Sequence, residues 1–175
     1  MMKKWGVMLA VLLMAGCVGK PVDVTPVANF DAARYLGKWY EIARLDHSFE
    51  RDLTHVSAEY SMRPDGGLKV INRGYKPASA QWKQSEGKAY FVETSDQGYL
   101  KVSFFGPFYG SYIVFDLDQD KYSYSMVSGP DKTYLWLLAR TPVMDQATKK
   151  RLTDKAQALG FNTQKLIWVD QSPQK

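Results

Sequence analysis

The chain has 175 residues, 45% of them hydrophobic and 14% aromatic, with 23 basic against 18 acidic side chains and a formal net charge of +5. That length supports one domain with a sizeable core. The charges are interspersed with no basic run, which argues against a nucleic-acid binder, and a single cysteine excludes an intrachain disulfide.

Lys3 and Lys4 form a charged start, and Val7 to Met14 is an apolar stretch too short to span a bilayer comfortably as a mature helix. Leu13-Met14-Ala15-Gly16-Cys17 resembles a bacterial lipobox, with Met14 where that motif most often has Leu. The resemblance implies that residues 1–16 are a lipoprotein signal peptide and that Cys17 is acylated and becomes the new N-terminus. Lipid attachment explains this lone thiol better than burial does, because buried thiols sit inside folded elements. Val18 follows the cysteine where an Asp would favour retention in the inner membrane, so similarity to other bacterial lipoproteins favours the outer membrane. Residues 17–28, with Pro21 and Pro26, read as a lipidated tether. Residues 29–175 read as the domain. From Cys17 onward the net charge is +3, since Lys3 and Lys4 fall in the leader with no acid beside them. This mild charge suits a solvated mixed surface.

In the domain, Asp31 can cap a short helical turn and Gly37 can reverse the chain after it. Trp39 is the first large side chain of the first strand. Thr54 to Met62 alternates, with Val56, Ala58, Tyr60 and Met62 on one face and His55, Ser57, Glu59 and Ser61 on the other. Pro64-Asp65-Gly66-Gly67 is a hairpin signal, and Leu68 to Tyr75 returns with Leu68, Val70 and Asn72 inward. Pro77 to Ala80 is a loop. Gln81 to Val92 is the fourth strand, with Gly87, Ala89 and Phe91 inward. Tyr99 to Phe105 is the fifth, with Leu100, Val102 and Phe104 inward. Gly106 to Gly110 reads as an aromatic loop, and Ser111 to Leu117 as the sixth strand. Tyr122 to Ser128 and Thr133 to Arg140 complete the eight. Asp145 to Leu159 then carries Leu152, Ala156 and Leu159 near one helical face, and Gly160 is a natural stop. Phe161 to Val169 reads as a short extended end.

Eight strands joined by short turns, then one helix, predict an all-β fold: an eight-stranded up-and-down antiparallel barrel with a C-terminal helix packed outside. A barrel of that size can hold one small ligand. Strand patterning alone leaves an eight-stranded sandwich as the rival.

Gly37-Lys38-Trp39-Tyr40 after Asn29-Phe30-Asp31 resembles the first lipocalin signature. Asp116-Leu117-Asp118 through Tyr122 resembles, more loosely, the second motif, and Leu138-Ala139-Arg140-Thr141-Pro142 the third. The resemblance implies that Arg140 crosses Trp39 and closes one end of the barrel, a guanidinium on an indole face. Ser85 to Phe91 and Lys101 to Tyr109 are similar to a lipid-anchored bacterial branch of that family and, more distantly, to its apolipoprotein D-like branch. This implies an anchored periplasmic protein, on the outer membrane through Cys17, that binds fatty acids or lysophospholipids.

The candidate cavity lining follows from alternation: Tyr60, Val70, Asn72, Phe91, Val102, Phe104, Tyr112, Trp136 and Leu138. Trp136 and Leu138 share parity with Arg140, which the family resemblance implies is inward. Asn72 and Tyr112 correspond to cavity positions in the apolipoprotein D-like branch. Such a lining is apolar with a few polar groups to orient a head group, although small barrels are also found packed solid. Trp82, Phe108 and Tyr109 lie in or beside loops, where they can rim the mouth or touch membrane.

His47 and His55 show no paired ligand spacing, and both read as ordinary exposed positions; no metal and no cofactor are expected. No Gly-Xaa-Ser-Xaa-Gly elbow or phosphate-cradling loop is present, and the carboxylates read as mostly outward, so the chain is not expected to be an enzyme. Two readings oppose lipid carriage: a structural or stress-related membrane lipoprotein with no physiological ligand, and, more weakly, tetrapyrrole binding through a histidine. Monomer and homodimer stay open.

Overall fold

The computed structural model describes residues 18–173. Residues 1–16, expected to be a signal peptide, and Cys17 lie outside the described residues.

Asp31 caps the short helix α1 (Ala32–Tyr35), its Oδ1 accepting from the N–H of Ala33 at 2.9 Å. Gly37 then adopts φ +87°, where a Cβ would be strained, and opens β1 (Gly37–Arg44). The chain continues through β2 (Thr54–Met62), β3 (Leu68–Lys76), β4 (Gln81–Phe91) and β5 (Tyr99–Phe105). β6 (Phe108–Leu117), β7 (Tyr124–Ser128) and β8 (Leu135–Ala139) follow. Each strand pairs antiparallel with the next, and β8 and β2 both pair with β1, so the sheet closes on itself. The barrel is therefore up-and-down, and the sandwich is excluded.

Three boundaries differ from the alternation. β6 starts at Phe108, because Phe105 and Phe108 pair across Gly106-Pro107 and leave a two-residue loop. β7 starts only at Tyr124, because Tyr122 sits at φ +53° and Asp118 draws the following turn inward, accepting from the N–H groups of Asp120, Lys121 and Ser123. β8 starts at Leu135, because Asp131 holds Thr133 in the preceding turn.

Two apolar clusters result. The interior one includes Phe30, Tyr35, Trp39, Tyr60, Leu68, Val70, Leu100 and Leu138. The outer one lies between the wall and helix α2 (Gln146–Ala158), which buries Leu152 and Ala156 against Ile113, Met126 and Leu137. Asp145 caps α2 through the N–H of Thr148, and Gly160 follows it at φ +82°. A two-residue strand β9 (Ile167–Trp168) then pairs antiparallel with Ala43 and Arg44 at the end of β1.

The segment from Val18 to Val27 is laid on the wall rather than hanging from it. Val27 bridges Val114 and Gly98 by backbone hydrogen bonds of 2.8 and 2.9 Å, Pro21 and Val24 are buried, and Ser111 Oγ donates to Gly19 O. The two prolines read as linker chemistry, but Val24 fills a site in the outer cluster beside Tyr99 and Phe115.

Candidate functional site

One end of the barrel is sealed. Trp39 is fully buried, donates Nε1–H to Tyr35 O at 2.9 Å, and packs against the Tyr35 ring. Arg140 lies across it with its guanidinium carbon 3.9 Å from the ring centroid. The same guanidinium donates to the carbonyls of Arg34, Lys38 and Tyr122 at 2.7, 3.0 and 3.2 Å. Tyr122 Oη accepts from the Asp31 N–H, and Arg34 stacks over the Tyr122 ring. The three motif regions thus meet at one point.

Above this plug, Tyr60, Val70 and Leu138 are buried in the interior cluster, and Phe91, Val102, Phe104, Tyr112 and Trp136 pack against it while keeping partial exposure. Asn72 is half-buried, between Ala58 and Ser85 in the ladder. Alternation therefore brings the candidate lining to one side of the wall. A side chain inside a closed barrel stays partly exposed where the interior is not filled.

Two polar groups border this lining; the sequence reading named Tyr60 and Tyr112 of the first but not Tyr35 or Ser125, and only Trp136 of the second. At the sealed end, Tyr112 Oη lies 2.9 Å from Tyr35 Oη and accepts from Tyr60 Oη at 2.8 Å, while Tyr35 also reaches Ser125 Oγ at 3.1 Å. Burial pushes Tyr35 up to about 12 and raises Tyr60 and Tyr112 well above the ordinary phenol value. All three stay neutral hydroxyls at physiological pH. Tyr35 was legible only as part of the capping turn, which gives no hint that its ring enters the barrel.

At the opposite end, β1 carries a bulge between Glu41 and Ala43, so Glu41 and Arg44 both turn inward. Arg44 Nη1 donates to Glu41 Oε1 at 2.7 Å, and Nη2 donates to the carbonyls of Glu50 and Leu53, tying down the loop 45–53. Trp136 Nε1 donates to Glu50 Oε1 at 2.8 Å. These carboxylates are buried, against the expectation that such groups face outward. Burial raises both of them, and the single Arg44 charge only partly opposes it. Parity with Trp39 was the signal for Glu41; the bulge hid Arg44.

His47 is also buried, stacked between Phe49 and Tyr134 in the loop, and burial lowers its pKa. Loop residues between short strands gave no sign of that stack. His55 lies on the outer wall with Nδ1 against Thr54 Oγ1 and Nε2 against Ser172 O. Among the described residues no group of three or more His, Cys, Asp or Glu gathers as a metal site would require. Trp82 stands outside too, against Tyr75 and His55, in a groove of about 720 Å³ that also includes Lys38, Arg73 and Trp168. Tyr109 is half-buried on the outer wall under Lys88 and Lys101, and of Trp82, Phe108 and Tyr109, Phe108 is the one that stands free at the rim.

The chain matches the lipocalin-like domain over residues 30–171. It is 56% identical over 163 residues to "Outer membrane lipoprotein Blc" of Vibrio cholerae, covering 93% of this chain and 95% of that one. Its likeness to the Escherichia coli protein of the same name is 53% over 164 residues, covering 93% and 92%. Apolipoprotein D of Mus musculus is 29% identical over 163 residues, covering 89% and 82%. Among solved structures, insecticyanin from Manduca sexta superposes with a TM-score of 0.70 at 25% identity, covering 88% of this chain and 87% of that one. With the closed barrel, the Trp39–Arg140 plug and a family match across most of its length, the chain belongs to the lipocalin family.

Proposed function

We propose that this chain is a lipid-anchored outer-membrane lipocalin that takes single-chain lipids, fatty acids or lysophospholipids, into its barrel. Residues 1–16 serve as its export signal, acylated Cys17 as its anchor, and the barrel faces the periplasm. Its likeness to outer-membrane lipoproteins over more than nine-tenths of the chain supports the location.

The observation that carries the binding reading is the interior lining: an apolar wall of buried Val70 and Leu138 and partly exposed Phe91, Val102 and Phe104, with hydroxyls at its sealed end. Each methylene buried there gains about 0.8 kcal/mol, so a long acyl chain reaches micromolar affinity or better after association costs. The ladder between β4 and β5 runs only from Lys88–Ser103 to Phe91–Leu100. Among the described residues, Gln81–Gly87 therefore pairs on its β3 side alone, and Gln81–Glu86 are exposed. That slackened wall gives an acyl chain room to enter.

The test is native mass spectrometry of protein purified without detergent, with retained ligand extracted and identified. A fatty acid or lysophospholipid at one-to-one ratio is expected. Val102→Asp or Val70→Glu, shown folded by circular dichroism, is expected to abolish acyl uptake. A folded charged variant with unchanged affinity, or an apo protein that refuses added lysolipid, returns the weight to a structural lipoprotein without a ligand.

A further inference from the structure

From residue 27 back to residue 18 the chain climbs the outer wall of β5 and β6. Val27 is bonded at Val114 and Gly98, Val24 is buried beside Tyr99, Gly19 accepts from Ser111, and Val18 accepts from Tyr99 Oη. Ser111 is three residues from Phe108, so Gly19 is fixed about 10 Å below the tip of the β5–β6 hairpin at a strand rise of about 3.3 Å per residue. An acyl anchor on Cys17, two residues before Gly19, leaves the wall there with no more than about 7 Å of chain to spare. The barrel cannot swing freely beneath such an anchor.

The same hairpin is the part of the surface that suits a bilayer. Phe105 and Phe108 face each other at its tip and are 80% and 69% exposed. Below them, Lys88 and Lys101 flank the Tyr109 ring. Phe49, on the loop 45–53 at the same end, is 66% exposed. Among the described residues, every exposed Phe or Trp lies at this end or on the outer wall toward it: Phe49, Trp82, Phe105, Phe108 and Trp168. The turns of the sealed end present Asp65, Asp96 and Asp120, and its exposed apolar side chains are the aliphatic Met62 and Val143, with no ring among them. Aromatic rings at a rim, with ammonium groups two and four residues behind Phe105 along the β5 ladder, match an interface of acyl chains below phosphates.

We infer that the docked segment 18–27 orients the barrel so that the β5–β6 hairpin rests on the phospholipid surface, with Phe105 and Phe108 in the acyl boundary and Lys88 and Lys101 at the phosphates. The mouth then faces the bilayer from which a lipid is taken, and the stretch of β4 that pairs only with β3 stands beside it. This rests on the acylated-Cys17 reading.

The experiment uses the full lipidated protein in vesicles of phosphatidylethanolamine and phosphatidylglycerol. With Cys17 acylated, a cysteine placed at Phe105→Cys, Phe108→Cys or Asp120→Cys is the one free thiol, and takes an environment-sensitive fluorophore. These positions are exposed, so the fold tolerates the change. The expected result is a blue shift and at least a twofold quenching by lipids brominated near the head group at 105 and 108, with neither at 120. Equal signals at all three positions, or none, in protein that floats with the vesicles overturn the orientation and leave the anchor intact. Protein that does not float, with an unmodified Cys17 by intact mass, overturns the anchor and the orientation with it. A blue shift without lipid that grows with protein concentration assigns the patch to a second copy and also overturns the inference.

Discussion

The guanidinium of Arg140 lies 3.9 Å from the centre of the Trp39 indole and spends its N–H groups on three backbone carbonyls, those of Arg34, Lys38 and Tyr122. The stack alone is worth about 0.5–2 kcal/mol, and a hydrogen bond from a charged donor about 1.5–3. These overlap, so Arg140→Met is expected to cost about 2–4 kcal/mol, read from the urea midpoint. Arg140→Lys keeps the charge but cannot span three carbonyls. It is expected to recover less than half of the loss. Recovery of the full stability by lysine would show that charge, and not the planar fork, holds the end shut.

The three interior phenols give a second prediction. Because burial raises Tyr35, Tyr60 and Tyr112, each is expected to stay un-ionised past pH 11 in an ultraviolet titration, and to ionise only as the barrel unfolds. Tyr112→Phe removes the hydroxyl that joins the other two and is expected to cost about 1–2 kcal/mol. If a ligand's polar end reaches this group, the same change weakens lysophospholipid more than a plain hydrocarbon chain, as titration calorimetry would report.

Glu41 and Glu50 predict a pH dependence of stability. Both are raised above their ordinary value of 4.5, burial being the main cause. The folded state therefore holds protons that the unfolded chain has released. The sign follows: this contribution is fully present below about 4.5 and is lost as pH rises through the raised native values. Glu41→Gln removes one buried charge and is expected to flatten the fall in melting temperature between pH 5 and pH 8. Removing Arg44 instead leaves the carboxylates without their cation, and Arg44→Met is expected to cost about 3–5 kcal/mol at pH 8 and distinctly less at pH 5. An equal cost at both pH values would count against a shared buried charge.

Period-two alternation made the barrel legible because its walls are buried on one side. Val70 and Val102 were placed inward by that signal alone, and Leu138 by parity with the motif's Arg140; Val70 and Leu138 lie in the interior cluster and Val102 packs against it. The plug was legible through motif chemistry, since Trp39 and Arg140 need each other. What alternation could not carry was a change of phase. The bulge after Glu41 turns Arg44 inward, and a second irregularity between Val114 and Asp116 lets Phe115 and Leu117 serve different clusters. Long-range burial was equally invisible: Val24 in a proline-bearing segment and His47 in a loop are covered by residues far along the chain. Ring stacking and docking of that kind leave no local pattern to read.

Gly87 offers a test of how the slack wall beside β5 is built. A Cβ there would lie 2.8 Å from the Phe104 ring and 2.9 Å from the Ser103 carbonyl oxygen, both closer than contact allows. The glycine thus lets Phe104 fold across β4, just where the β4–β5 ladder ends. Gly87→Val is expected to destabilise the barrel by about 1–3 kcal/mol through overpacking and to drive Phe104 off its seat. Truncating the ring as well, in Gly87→Val with Phe104→Ala, relieves only the side-chain part of the clash, because the Ser103 carbonyl stays. The double variant is therefore expected to be more stable than the sum of the single losses, but still below wild type. If Phe104 lines the acyl path, Gly87→Val slows lipid uptake in stopped-flow more than it weakens equilibrium affinity. Equal effects on rate and affinity would place Phe104 in the seat of the ligand rather than beside its entrance.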